Sequence, residues 1–212
     1  MKYEFTGETK KTISNGHLLR RIRRLSDGKL GGWIESEENL SQEGNCWVDD
    51  NAYVFGDAKV FDNARIYGKA KVGYNAQVYG NAKVYENATV YDNAQVYGNA
   101  EVYGDAEVFS NAKVYDYAKV YDEAWVHDDA MIYDEGQVYD NADVCGDAEV
   151  YENAKIYGDA AIYDEAQIYG NAEVYENAVV YSNAMVYDDA LVYGNARVSI
   201  NDEICGETEI CK

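Results

Sequence analysis

From Val48 to Ile210 every sixth residue is valine or isoleucine, 28 positions without an exception. Two residues before each stands a small side chain, alanine at 24 of the 28, with Cys46, Gly136, Asp202 and Thr208 as the replacements. The pattern small–x–aliphatic predicts a short strand with alternate side chains on one face, so alanine and valine point inward and the residue between them outward. The next three positions hold mostly an aromatic, then Gly, Asp, Glu or Ser, then Asn or Asp, as in Asn81-Ala-Lys-Val-Tyr-Glu. Gly, Asn and Asp tolerate positive φ and form local side-chain turns, so this half of the hexad predicts a corner. A helix is excluded, because a period of six does not hold valine on one face at about 3.6 residues per turn. One strand and one corner cannot bury a valine alone. Stacked coils can, with backbone hydrogen bonds running from coil to coil, and the pattern therefore predicts a β-solenoid.

The exceptions set the number of hexads per coil. Away from the two ends the aromatic position is broken at Gly73, His127, Cys145 and Ser199, which lie 54, 18 and 54 residues apart. All three intervals are multiples of 18, so three hexads per coil bring the four breaks onto one corner, where Phe55 and Phe109 also fall. The expected fold class is all-β: a parallel solenoid of triangular section, three hexapeptides per coil, about nine coils and ~45 Å long. The other two corners are regular. One reads Tyr67, Tyr85, Tyr103, Tyr121, Tyr139, Tyr157, Tyr175, Tyr193; the other runs from Phe61 through Tyr79, Tyr97, Tyr115, Tyr133, Tyr151, Tyr169 and Tyr187. At ~4.8 Å per coil the rings can stack as two tyrosine ladders, expected to shield the corners rather than to bind a ligand.

Residues 1–46 differ in kind and read as an N-terminal β cap leading into the solenoid of residues 47–212. Tyr3–Thr6 and Leu18–Leu25 predict strands, broken by turns at Ser14-Asn15-Gly16 and Ser26-Asp27-Gly28. Ile34 and Leu40 are six apart, so coiling is expected to begin near Trp33, with a small insertion before Val48. A cap covers the first open coil, as solenoids require for solubility.

Charge divides along the same boundary. Residues 1–46 hold eight Lys/Arg against seven Asp/Glu; residues 47–212 hold ten against 32, leaving −22 on the rod. Over ~45 Å that is about one charge per 2 Å, close to the ~1.7 Å of duplex DNA. A DNA-mimicking decoy that binds a DNA-binding protein is thus one alternative. The simpler reading is that turns favour Asp and that net charge keeps a repetitive β protein soluble. The acidity argues against direct nucleic-acid or membrane contact along the rod. Arg20, Arg21, Arg23 and Arg24 form a basic run, but it is interrupted by an apolar residue as a strand would be.

Met1–Thr12 is strongly polar and no window approaches ~18 continuous apolar residues, so a cytoplasmic location is expected. Cys46, Cys145, Cys205 and Cys211 show neither CxxC nor His-paired metal spacing. Cys205 and Cys211 fall on different corners, too far apart for a disulfide. Neither a cofactor nor a bound metal is expected.

Candidate chemistry is confined to one place. The chain has two histidines, His17 and His127. His127 sits beside Trp125 and Asp128 with Cys145 one coil above, and Ala161 and Val179 occupy outward positions on the same face. These residues, Trp125, His127, Cys145, Ala161 and Val179, form the candidate binding face. His127 is a weak candidate base, because a general base needs a partner and a pocket. No insertion interrupts the hexads after Val48 to build one. Acidic pairs such as Asp128-Asp129, Asp134-Glu135 and Asp188-Asp189 can hold calcium weakly, but read first as turn formers. Thr89 stands alone at its outward position, which excludes the flat threonine ranks of an ice-binding face.

Hexads of the form Val-Tyr-Gly-Asn-Ala-x resemble the hexapeptide repeat of left-handed β-helix proteins, the acyltransferase-like superfamily. The segment Gly31-Gly-Trp-Ile-Glu-Ser-Glu-Glu-Asn-Leu-Ser, continued by Asn45-Cys-Trp-Val, is similar to the start of YdcK-like proteins, where a short segment precedes hexads ending in Asn-Ala. The resemblance implies left-handed coiling. Enzymes of the superfamily trimerise, hold coenzyme A or an acyl carrier between subunits, and use a histidine with loops protruding from the coils; carbonic anhydrases of this fold use three histidines. This chain lacks such loops and that histidine count, and fold alone does not carry activity. The expectation is therefore a non-enzymatic rigid acidic scaffold or protein-interaction module, meeting a protein partner or itself through the irregular face or the C-terminal end. The decoy and an acyltransferase-like enzyme are the alternatives.

Overall fold

The computed structural model describes residues 1–12 and 16–211. Each hexad contributes one short strand, such as Lys83–Val84, and one corner. Each strand pairs in parallel with the strand 18 residues on: Lys83 faces Glu101, and Val84 faces Val102, which in turn faces Val120. Three sheets result, of twelve, ten and nine strands, one for each side of the coil and parallel throughout the solenoid, the largest including the two antiparallel strands of the N-terminal hairpin. Val84, Val102, Val120 and the alanines between the columns are wholly buried, so the interior is a dry shaft of aliphatic side chains. Each such valine contributes roughly 1.5–3 kcal/mol of burial, set against the cost of ordering its hexad.

The corner has a division of labour that explains its composition. Its middle residue carries the bend at positive φ: Asp62 (φ 57), Glu86 (φ 58) and Gly80 (φ 67). At many of the acidic bends the carboxylate accepts the backbone N–H of the bend one coil on: Gly80 N donates to Asp62 (3.2 Å) and Gly104 N to Glu86 (2.9 Å). At least nine such bonds occur among the described residues. The side chain thus offsets the cost of a left-handed non-glycine residue by satisfying an outward-facing donor. The asparagine that follows does not carry the bend. It forms a polar ladder instead, Asn63 Nδ2 donating to Asn81 Oδ1 (3.1 Å) and Asn81 to Asn99 (3.0 Å).

The first coil starts before the regular hexads. A hairpin of β1 (Tyr3–Lys11) and β2 (Leu18–Arg24) is antiparallel, and β3 (Leu30–Ile34) continues from it, antiparallel to β2. β3 then switches to parallel pairing with the solenoid, Trp33 against Tyr53 and Ile34 against Val54. Leu40 bridges Val60, and Trp47 faces Arg65. Leu40 and Val48 are eight residues apart rather than six, so the corner between them holds the two-residue insertion. With this coil included, the rod has about ten turns, one per strand of the ten-stranded side. Of the expected turn at Ser14-Asn15-Gly16, Ser14 and Asn15 lie outside the described residues.

Tyr3 and Ile22 of the hairpin belong to the same buried cluster as Ile34, Leu40 and Trp47, and so cover the end of the shaft. The motif that resembles YdcK-like proteins locks this end. A Cβ on Gly31 would lie 2.6 Å from the Trp47 indole, so only glycine lets the strand pass over that ring. Buried Asn39 donates to the carbonyls of Gly56 (2.8 Å) and Ala58 (2.9 Å) and accepts from the N–H groups of Glu35 and Ser36. The basic run is occupied within the cap: Arg21 pairs with Glu8, Arg23 with Glu4 and Arg24 with Asp27, while Arg20 lies over Phe5. All four cysteines are unpaired. Among the described residues no helix is long and apolar enough to cross a membrane.

Candidate functional site

The two regular corners are tyrosine ladders. In one, Tyr67, Tyr85, Tyr103, Tyr121, Tyr139, Tyr157, Tyr175 and Tyr193 stack with ring centroids 4.8–5.1 Å apart. In the other, Phe61, Tyr79, Tyr97, Tyr115, Tyr133, Tyr151, Tyr169 and Tyr187 stack at 4.8–5.0 Å. At several coils the ring leans over the outward residue of the next coil and its hydroxyl donates to a carboxylate there: Tyr85 to Glu101 (3.1 Å), Tyr133 to Glu149 (2.8 Å) and Tyr157 to Glu173 (2.9 Å). Burial first, then neighbouring carboxylates and rings, pushes the phenols up, Tyr115 and Tyr151 to about 12.

The third corner is broken in two different ways. At its N-terminal end Phe55 turns across the next coil and fills the place a side chain at 73 would need: a Cβ on Gly73 would sit 2.2 Å from the Phe55 ring. His17 of the cap packs on Phe55 at 4.8 Å, and its Nδ1 meets Glu35 at 2.9 Å. Burial works against the Glu35 charge, yet the Gly56 N–H and the His17 ring hold its carboxyl below the usual range. Gly73 is therefore a docking notch for the cap.

The second break brings chemistry together. Tyr91 stacks on Phe109 and Phe109 on His127, whose rings are 4.6 Å apart and 7° from parallel, and there the ladder stops at Cys145. It resumes as Tyr163 on Tyr181, at 5.2 Å and a looser 21°. His127 Nε2 lies 3.0 Å from Asp143 Oδ1, and Nδ1 lies 3.3 Å from Asp128 Oδ2. One donor atom each from His127, Asp143 and Cys145 lies within 4.8 Å of the other two. Burial, then the carboxylates of Asp143, Asp128 and Asp164, pushes the Cys145 thiol up to about 11. Trp125 stands edge-on to Phe109 at 6.5 Å and is 50% exposed. Along that face Trp125, Asp143, Ala161 and Val179 follow one another at matching positions of successive coils. The five residues expected to form a face thus share a side and its corner, with Asp128 beside His127 as the sequence places it, and the structure adds Asp143 to them. The i-to-i+16 spacing of His127 and Asp143 is that of Tyr85 and Glu101, so the signal for Asp143 was the tyrosine–glutamate contact repeated elsewhere. Asp105, Glu123, Trp125, Asn141 and Asp143 line a shallow groove here.

With this geometry in place, comparison with known proteins is informative about the repeat. The family described as YdcK beta solenoid repeat matches at residues 76–92, 94–108 and 166–182. Three stretches of this chain match YdcK β-solenoid repeats. The Escherichia coli K12 protein named "Uncharacterized acetyltransferase YdcK" is 49% identical over 55 residues, 23% of this chain and 16% of that protein. The match therefore spans less than a fifth of the relative's length. The matched YdcK repeats at 76–92 and 94–108 come before the His127 break and those at 166–182 come after it.

Proposed function

We propose that this YdcK-type solenoid is a rigid acidic scaffold that self-associates through the face carrying Trp125. The observation that supports this reading most is the contrast in outward side chains: Trp125 is half exposed beside an interrupted ladder, with Asp143 next on the same sheet and Ala161 and Val179 beyond it. Large exposed aromatics are what an interface is built around. The rod around it is stiff, because backbone hydrogen bonds tie each coil to the next and aromatic and asparagine ladders reinforce many of these steps. Sedimentation velocity over a hundredfold range of concentration tests it. The wild type forms a dimer as concentration rises, and Trp125→Glu stays monomeric with an unchanged melting temperature. A wild type that stays monomeric throughout overturns the reading.

Acetyl transfer is a second reading, favoured by the contact between His127 and Asp143, a base with an orienting carboxylate. It ranks below the first because Tyr85 and Glu101 make the same contact where no chemistry is in view, and both imidazole nitrogens already face carboxylates. Acetyl-coenzyme A turnover that is lost in His127→Asn would reverse the ranking. The decoy reading draws on rod charge, but the corner carboxylates have a structural task of their own in accepting the N–H of the next bend.

A further inference from the structure

We infer that His127, Asp143 and Cys145 form a binding site for a divalent transition metal of borderline softness, zinc first, that clips two successive coils at the gap in the third ladder. The donor set is what singles out this cluster from the many acidic corners. It combines an imidazole nitrogen, a carboxylate oxygen and a thiol sulfur, the mixture that selects zinc or cobalt over calcium or magnesium. His127 comes from one coil and Asp143 and Cys145 from the next, so a bound ion cross-links neighbours where no aromatic pair does.

The geometry is close to what an ion needs. Ligands ~2.0–2.3 Å from zinc stand roughly 3.3–3.8 Å from one another in a tetrahedron. His127 Nε2 and Asp143 Oδ1 are 3.0 Å apart, and the three donors all lie within 4.8 Å of one another. Binding would close the difference by side-chain rotation at Cys145 and Asp143. The imidazole is already aimed: Phe109 fixes its plane by stacking, and Asp128 faces the opposite nitrogen at 3.3 Å, the outer carboxylate that orients a ligating histidine. Three protein ligands leave one position open towards solvent. The site does not depend on whether the Trp125 face meets a partner.

Titration with cobalt(II) in the presence of a non-chelating phosphine reductant tests it, read by absorption. The wild-type chain is expected to give visible d–d bands and a near-ultraviolet thiolate-to-cobalt band that saturate at one equivalent and are displaced by zinc. Cys145→Ser removes the thiolate band, Asp143→Asn weakens affinity at least tenfold, and a Cys205→Ser/Cys211→Ser double variant changes neither. Circular dichroism of the apo variants confirms that the coils are intact. The inference is overturned if the wild type gives no thiolate band, if the band survives Cys145→Ser, or if it is lost in the double variant instead.

Discussion

The two laddered corners and the third corner are made of the same hexad, yet they spend their aromatic position differently. In the ladders the tyrosines repeat one contact set, two stacked neighbours and, at several coils, a carboxylate on the next coil, so they add cooperativity and present a uniform edge. In the third corner the aromatic is given up at Gly73, where the cap docks, at His127 and Cys145, which lie together with the outward Asp143, and at Ser199. The lesson is that a break in a repeat has to be explained by what enters the vacated space. At Gly73 that is the Phe55 ring; at Cys145 no ring enters.

The largest effect separating the corners is expected at high pH. Burial raises the ladder phenols, Tyr115 and Tyr151 from 10.0 to about 12. A group whose folded pKa is raised contributes stability that is complete below its unfolded value and lost as pH climbs through the folded one. The rod should hold to about pH 10 and unfold between there and about 12, with phenolate absorbance and loss of circular dichroism rising together. Phenolate forming well before the coils unfold would break the comparison.

Restoring the missing ring at each break should give opposite signs. Gly73→Tyr forces a side chain into the Phe55 ring and is expected to cost roughly 3 kcal/mol and to loosen the cap, measured by denaturant unfolding and by proteolysis near residues 1–30. Removing a ring from a regular ladder is intermediate. Tyr103→Ala loses the stacks on Tyr85 (4.8 Å) and Tyr121 (4.9 Å) and should cost about 2 kcal/mol in the same assay. Smallest, and of the other sign, Cys145→Tyr completes the stack between His127 and Tyr163 and should stabilise by about 1 kcal/mol. If Gly73→Tyr and Cys145→Tyr shift stability in the same direction, the two breaks do not differ in kind.

Much of this was legible in the chain itself. The sixfold valines imply the shaft, and the spacing of Gly73, His127, Cys145 and Ser199 implies three hexads per coil, because a side chain at a corner meets its neighbour 18 residues away. Ile34 and Leu40 showed where coiling starts. Other features depend on how side chains lean, which a period does not encode. The bend falls on the residue before asparagine, and the acidic residues there are explained by an N–H on the coil above. Asp143 escaped notice as a partner of His127 because the aromatic position reaches over the outward position of the next coil, an offset of 16 rather than 18. Gly73 and His127 look alike as exceptions in one column; only the path of the Phe55 ring tells them apart.

The central claim is that the ladders hold the rod while the Trp125 face makes its contacts. Hydroxyl-radical footprinting at low and high protein concentration tests it most directly, since it reads Trp, Tyr, His and Cys side chains in one experiment. The account predicts that oxidation of Trp125, His127 and Cys145 falls as concentration rises while the ladder tyrosines keep their rates. Protection of Tyr85, Tyr103 and Tyr121, with Trp125 unchanged, would contradict it.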